Sequence, residues 1–321
     1  MRTKIIIGGM ALAAGLSPVA AWSSEGNIFG GPVGGTDIRN AMLPTTSGFY
    51  GALVGAYSFA NHLYGDNWAQ NSKAKVDAHV WGGAATLMYV YPFKLWGGTL
   101  ASSIQGQVTY GHMSAFGKSQ YFEGTGDIYS ELISYSKYIG PLWGERPANG
   151  LPYLPYGLTV KAAYSMIFPT GKYNTTDLQT TGHNDYFYIP NFAVTYLTGP
   201  NGLGDGLEFS AHVFLDFSSR NNKTKYSSGP VNDVDIAVSE RVGRWQAGVA
   251  GCYATQLSDD TINGIQAPPN GKRLASVALG PVLAYDIPDW KASVKIKVQL
   301  PVAQRNALNL TKVIVSFSKA L

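Results

Sequence analysis

Few residue groupings in the chain have a spacing that could do covalent chemistry. His112-Met113-Ser114 is the clearest. On an extended strand, residues two apart project from one face, so the imidazole would stand beside the hydroxyl as a base stands beside its nucleophile. No third group that could orient the base is evident nearby in the sequence. The five histidines (His62, His79, His112, His183 and His212) are dispersed without metal-ligand spacing. Asp259-Asp260 could attract Ca²⁺ but reads as a solvated acidic turn. Gly82-Gly83 and Gly97-Gly98 are not followed by a helix, so they are not phosphate loops. The single cysteine, Cys252, permits no internal disulfide and reads as packing. No metal and no cofactor is expected.

The more informative pattern is charge alternating with apolar side chains. Lys291, Ser293, Lys295, Lys297 and Gln299 interleave with Trp290, Ala292, Val294, Ile296, Val298 and Leu300. Glu208, Ser210, His212 and Asp216 likewise interleave with Leu207, Phe209, Ala211, Val213, Leu215 and Phe217. Period two is the mark of a strand with two unlike faces. Twelve such segments are predicted: 48–60, 74–91, 98–113, 126–138, 155–169, 185–198, 206–219, 230–241, 243–257, 271–286, 289–302 and 307–321. Connections mostly alternate between short turns and long loops, among them 61–73, 114–125, 170–184, 220–229 and 258–270.

Composition narrows the class. Of 321 residues only 14% are charged, against about 25% in an ordinary soluble domain. That low charge and the 38 glycines argue against a helical soluble enzyme, and tyrosine, at 20, is also abundant. Beyond the N-terminus no apolar run approaches the roughly 18 residues of a spanning helix. The N-terminus reads as a secretory leader over residues 1–21: Arg2 and Lys4, an apolar stretch Ile5 to Leu16, then Val19-Ala20-Ala21 for cleavage. Its loss takes the 24 Lys and Arg to 22 against 20 Asp and Glu, which gives no reason to expect nucleic acid. Residues 22–47 are rich in Gly, Pro, Ser and Asn and show no periodicity.

Two folds suit two-faced strands. A soluble sandwich would hide the apolar face, whereas a membrane barrel turns it to lipid and lines its lumen with the polar face. Segments of 12–15 residues exceed the usual sandwich strand of about 5–6. Tyr110, Tyr156, Trp245, Tyr285 and Trp290 near segment ends suit interfacial girdles. The fold class is therefore all-β: a transmembrane antiparallel β-barrel of about twelve strands over residues 48–321, with short periplasmic turns and longer extracellular loops. Slipping 289–302 by one residue would turn its lysines to lipid at about 2–4 kcal/mol each near the midplane.

Pro169-Thr170-Gly171-Lys172-Tyr173, Ala193-Val194-Thr195-Tyr196-Leu197, Asn221 to Gly229, Gln256-Leu257-Ser258-Asp259-Asp260 and Gly280-Pro281 form a recognisable set, with Gly48-Phe49-Tyr50 opening the first strand. On these residues the chain resembles the outer-membrane channel proteins linked to the meta-pathway of phenol degradation. The resemblance implies a monomeric twelve-stranded barrel that admits small, often hydrophobic or aromatic compounds, with no agreed catalytic motif.

The expected activity is passive uptake of such compounds, including anionic ones, across a Gram-negative outer membrane whose lipid and lipopolysaccharide surround the barrel. Acids predicted to line the channel are Glu208, Asp216, Asp233 and Asp235; bases are Lys161, Arg244, Lys291, Lys295, Lys297 and Lys312. Acids and bases fall on opposite sides of the ring, predicting a transverse field or internal pairing. Pro190 and Pro281 fall inside strands, where each removes a ladder bond; they are expected to mark bulges, with or without a lateral exit. Residues 22–47 are expected either to enter the lumen as a plug or to hang as a periplasmic tether. Alternatives are a barrel lipid hydrolase using His112 and Ser114, although the Ser-Asn-Gly continuation of such enzymes is replaced by Ser114-Ala115-Phe116, and a structural or adhesive barrel.

Overall fold

The computed structural model describes residues 33–142, 155–268 and 270–321. The expected leader 1–21 and residues 22–32 lie outside them. In chain order the strands are β1 (Gly48–Ala60), β2 (Asp77–Leu95), β3 (Gly98–Ala115), β4 (Lys118–Thr125), β5 (Ile128–Gly140), β6 (Gly157–Phe168), β7 (Phe187–Leu197) and β8 (Gly206–Ser218). There follow β9 (Tyr226–Ser227), β10 (Val231–Val242), β11 (Trp245–Gln256), β12 (Thr261–Ile262), β13 (Ile265–Gln266), β14 (Ala275–Ile287), β15 (Ala292–Arg305) and β16 (Thr311–Ala320).

Twelve of these close a barrel: each pairs antiparallel with its neighbours, and β1 pairs with β16 from Tyr50↔Ala320 to Phe59↔Thr311. Closure leaves no strand edge open to lipid. Each of the twelve expected segments overlaps one barrel strand. The short strands β9, β12 and β13 form a separate small sheet over the loop end. β4 is the addition: the expected loop 114–125 is a hairpin that extends β3. Phe116 and Gly117, at φ of 51° and 76°, make the turn that such a two-residue hairpin needs. β4 and β5 lie end to end along β3, with Val108↔Thr125 followed by Gln105↔Tyr129 and a break at Gly126-Asp127.

The alternation has the expected phase. Glu208, Ser210, His212, Phe214 and Asp216 are buried inside, whereas Phe209, Phe217, Ile236, Val238 and Leu283 are exposed outside. The phase fails where a strand starts later than expected. Pro288–Trp290 is a 3-10 turn and Lys291 caps it at φ 50°, so β15 begins at Ala292. Lys291 is therefore exposed in a turn, and Arg244 lies in the turn before β11. Neither lines the lumen.

The prolines are also corrected. At Pro190 the β7–β8 ladder skips from Tyr188↔Phe217 to Asn191↔Phe214, while Pro190 stays paired with Tyr164 of β6. At Pro281 the β14–β15 ladder skips from Leu279↔Leu300 to Val282↔Lys297, while Pro281 stays opposite Val249 of β11. Register is unchanged across both gaps, so each proline costs local bonding without a bulge. The register shifts lie elsewhere: near Pro92 in β2, beside Pro301 in β15, and in the ladders that β5 makes with β3 and β6.

Candidate functional site: a luminal segment between two charged walls

Residues 33–43 occupy the lumen. They enter at the turn end, where Met42 packs with Tyr156 and Leu197, and rise until Val33 packs with Val231, Cys252, Ala254 and Ala278. Between these ends Ile38 packs with Ala237, Ala250, Val282 and Ala284.

The charged walls hold this segment from both sides. On β10, Asp235 accepts from Gly34 N at 2.8 Å, Thr36 N at 2.8 Å and Thr36 Oγ1 at 2.6 Å. On β15, a quarter of the way round the ring, Lys295 Nζ lies 2.6 Å and Lys297 Nζ 2.8 Å from the two carboxylate oxygens of Asp37. Lys297 also donates to the carbonyls of Gly34 and Thr36, and Gln299 Nε2 to Gly34 O at 2.9 Å. Lys312 reaches Val33 O at 3.3 Å. Two strands, β11 and β14, separate β10 from β15 around the ring. Gly34 to Asp37 thus bridge walls that do not touch.

Lower down, Arg39 does the same. Its backbone N–H donates to Glu208 Oε1 at 2.6 Å, its Nε to Gln246 at 2.7 Å, and its two terminal nitrogens to Asp286 at 3.0 and 3.2 Å. Arg241 shares that carboxylate at 2.6 Å. Ala41 donates to Thr195 and accepts from Ser136. Paired and doubly hydrogen-bonded geometry of this kind is what makes buried charge tolerable.

Of the residues expected to line a channel, Glu208, Asp235, Lys295, Lys297 and Lys312 contact the segment. Lys161 pairs instead with Glu131 at 2.9 Å. Asp216 and Asp233 are buried on the acidic wall nearer the loops. Sequence reasoning missed Asp37, Arg39, Gln246 and Asp286. One signal was present: Asp37 and Arg39 are the only charged residues between Glu25 and Asp66.

Nearer the loops the lumen is filled differently. Tyr129, Ile167, Phe187, Ile189 and Phe214 form one apolar cluster. Ala78, Val80, Met113, Phe122, Leu63 and Leu308 belong to another. Above them the 169–186 connection is tied down by Asp127, which accepts from Gly171 N and His183 N at 2.8 Å each and pairs with His183 Nδ1 at 2.8 Å. Burial alone would lower the His183 pKa; the bonded Asp127 carboxylate outweighs that, helped by Asp185, and holds the imidazole above its ordinary value. Asn221 joins Tyr173 at 2.8 Å and Asn184 at 2.9 Å. Asp260 is no free acidic turn: it is buried and accepts from Tyr226, Gly229 and Gln256. Asp259 pairs with Arg273. No cluster that could hold a metal ion occurs among the described residues.

His112 and Ser114 lie on the outward face of β3, but His112 Nε2 meets Ser119 Oγ of β4, at 2.9 Å, instead of Ser114.

A closed twelve-stranded antiparallel barrel with an apolar exterior and a charged interior defines a transmembrane β-barrel of the outer-membrane kind. The chain belongs to the family described as "Putative MetA-pathway of phenol degradation", whose pattern matches residues 55–317. No curated protein sequence matches it. Among solved structures it is similar to an outer membrane channel from Pseudomonas putida F1, at 12% identity and a TM-score of 0.67 over 88% of this chain and 98% of that one. It is also similar to the β domain of the Bordetella autotransporter BrkA, at 12% identity and a TM-score of 0.52 over 85% of this chain and 100% of that one. At these identities the likeness is one of fold.

Proposed function

We propose that the protein is a passive channel of the outer membrane for small hydrophobic or aromatic compounds, with residues 33–43 as a plug that must shift before solute passes. The observation that carries this reading is the segment itself. A lumen meant only to be filled needs no separate strand of chain held by exchangeable hydrogen bonds and ion pairs. Twelve strands lie between the eight that side chains just fill and the sixteen that leave an aqueous channel.

The plug also bears on charge. While it is docked, Asp37 pairs with both Lys295 and Lys297, and Asp235 accepts from two amides and a hydroxyl. Its withdrawal would bare a basic wall and an acidic one to the lumen, and the basic wall suits aromatic carboxylates. The solute undergoes no covalent change on this route. The reading includes a leader cleaved after Ala21, a monomer, and lipopolysaccharide around the loop end.

The test is planar-bilayer conductance with uptake of phenols and aromatic acids by cells with and without the gene. Deletion of residues 33–43 is expected to raise conductance, with a reversal potential favouring anions. A deleted protein that folds and stays silent would remove the channel reading; cation preference would remove the anionic part alone.

A further inference from the structure

A second polar constellation lies outside the barrel, on the outward face of β1–β4 near the loops. Register brings it together: His79 pairs with His112, Asp77 with Ser114, and Ser114 with Ser119. Ser119 Oγ lies 2.9 Å from His112 Nε2. The other ring nitrogen, Nδ1, lies 3.7 Å from Asp77 Oδ2. The second oxygen of Asp77 lies 3.3 Å from His79 Nε2, and His79 Nδ1 meets the Tyr57 hydroxyl at 2.6 Å.

The order is hydroxyl, far ring nitrogen, near ring nitrogen, carboxylate. Acyl-transfer triads have this order on unrelated folds and are recognised by geometry and role, not by position in the chain. The carboxylate contact is looser than a hydrogen bond, as is common without substrate, where catalytic contacts tighten only in the complex. Ser119 is exposed and His112 partly so, which leaves the nucleophile reachable.

The surroundings suit an amphiphilic ester. Tyr57, Phe59, Trp81 and Tyr110 lie on the same outward face, and aromatic residues of this kind sit at headgroup level in membrane proteins. The Tyr121 ring lies 4.6 Å from that of His112. Tyr121 also lines a cavity of about 400 Å³, with Tyr110, Phe122, Gln120 and Lys172, between β4 and the 169–186 connection. That space is large enough for an aromatic group or a short acyl chain; it reaches the pair through Tyr121, since neither Ser119 nor His112 lines it.

We propose that Ser119 and His112, positioned by Asp77, hydrolyse carboxylic esters presented at the outer leaflet. Ser119 Oγ attacks the ester carbonyl carbon while His112 Nε2 takes its proton. The carbon–alkoxy bond breaks, and the alcohol leaves with that proton. Water then attacks the acyl-Ser119, again giving a proton to His112, which returns it to Ser119 Oγ as the carboxylic acid departs. Water is the only co-reactant. The activity is separate from passage through the lumen and does not depend on it.

The experiment uses the full-length barrel in micelles and in vesicles. A fluorophosphonate probe is expected to label Ser119, located by peptide mass, and p-nitrophenyl butyrate to be hydrolysed. Ser119→Ala and His112→Gln lose at least a hundredfold in kcat/KM, whereas Ser114→Ala keeps the wild-type rate. Asp77→Asn lowers kcat with little change in KM, and Asp77→Glu restores part of it, a split that a structural role would not give. Hydrolysis confined to the soluble ester identifies a small aromatic ester as substrate class. Release of fatty acid from phosphatidylglycerol vesicles identifies a lipid. Wild-type protein that takes up no probe at Ser119, with ester turnover no faster than that of Ser119→Ala, overturns the proposal without requiring any variant to fold perfectly.

Discussion

Near the turn end, the space between the barrel walls is filled by backbone and charge; near the loops, by the walls' own apolar side chains. The first filling is a separate piece of chain, residues 33–43, attached through Asp235, Lys295, Lys297, Glu208 and Asp286. The second consists of Phe187, Ile189, Ile167, Tyr129 and Phe214, which cannot leave because each belongs to a strand. The two barriers differ in what they exclude. Directional polar contacts can be exchanged for water one at a time, so the plug can be displaced as a unit. An apolar constriction yields only by rotamer change, and it favours solutes that replace the contacts it loses. On the proposed uptake route an incoming solute meets the apolar filter first and the polar gate second, an order that sorts solutes by hydrophobicity before the ion-paired segment has to move.

Asp37→Ala should break this comparison most strongly. It leaves Lys295 and Lys297 buried without their counter-charge, and removing one partner of a buried pair costs about 3–5 kcal/mol. Docking of the plug should weaken by about two to four decades, read as faster hydrogen exchange over residues 33–43 and raised conductance. Replacing both lysines by methionine in the same background should restore the closed state. If conductance and exchange stay at wild-type values in Asp37→Ala, the charges do not hold the plug.

Gly34→Ala comes next. Gly34 has φ of 66°, and a Cβ there would overlap the side-chain amide of Gln299. A non-glycine residue in that region costs about 1–3 kcal/mol where its surroundings fix the backbone. Partial opening is expected, and Gln299→Ala in the same protein should relieve the overlap but not the backbone strain. Full rescue by Gln299→Ala would mean that the overlap alone mattered.

The apolar end calls for a different readout. Phe214→Leu keeps a hydrophobic filling at a cost of about 1 kcal/mol. It should speed passage of apolar solutes two- to threefold in a plug-deleted protein and leave ionic conductance nearly unchanged. An equal rise in both would show that the aromatic cluster is not a separate filter.

The same contrast explains what the amino-acid order revealed. Strands facing lipid carry a two-residue rhythm, so 206–219 lies within a residue of Gly206–Ser218 and places Glu208 and Asp216 inside without further information. β4 was hidden because it pairs only with β3 and rises beyond the other strands; Lys118-Ser119-Gln120 needs no apolar outer face. Residues 33–43 have no rhythm because side chains of the wall, in place of a neighbouring strand, satisfy their backbone. Asp37 and Arg39 can be placed only when the lysines and Asp286 are known to converge. Lys291 and Arg244 had the right phase but belonged to turns, since alternation does not say where a strand begins.

The smallest expected effect concerns the lid over the apolar end. Asp127 ties Gly171 and His183 to the break between β4 and β5, and its charge holds His183 above the ordinary imidazole value. A histidine whose folded pKa is raised contributes stability that is complete below its unfolded value, near 6.5, and that fades as pH rises through the folded value. The 169–186 connection should therefore be held most firmly in mild acid and loosen toward alkaline pH. His183→Ala should abolish that dependence at a cost of about 1 kcal/mol, below the range of about 1.5–3 for a charged bond because the imidazole is partly exposed. Hydrogen exchange of residues 170–184 measured from pH 5 to 9, corrected for intrinsic rates, reads it directly. Plug residues 33–43 serve as the internal reference, because His183 lies at the other end of the lumen. A slope shared by both segments would mean that the two closures are coupled, and the barrier would then have to be treated as one.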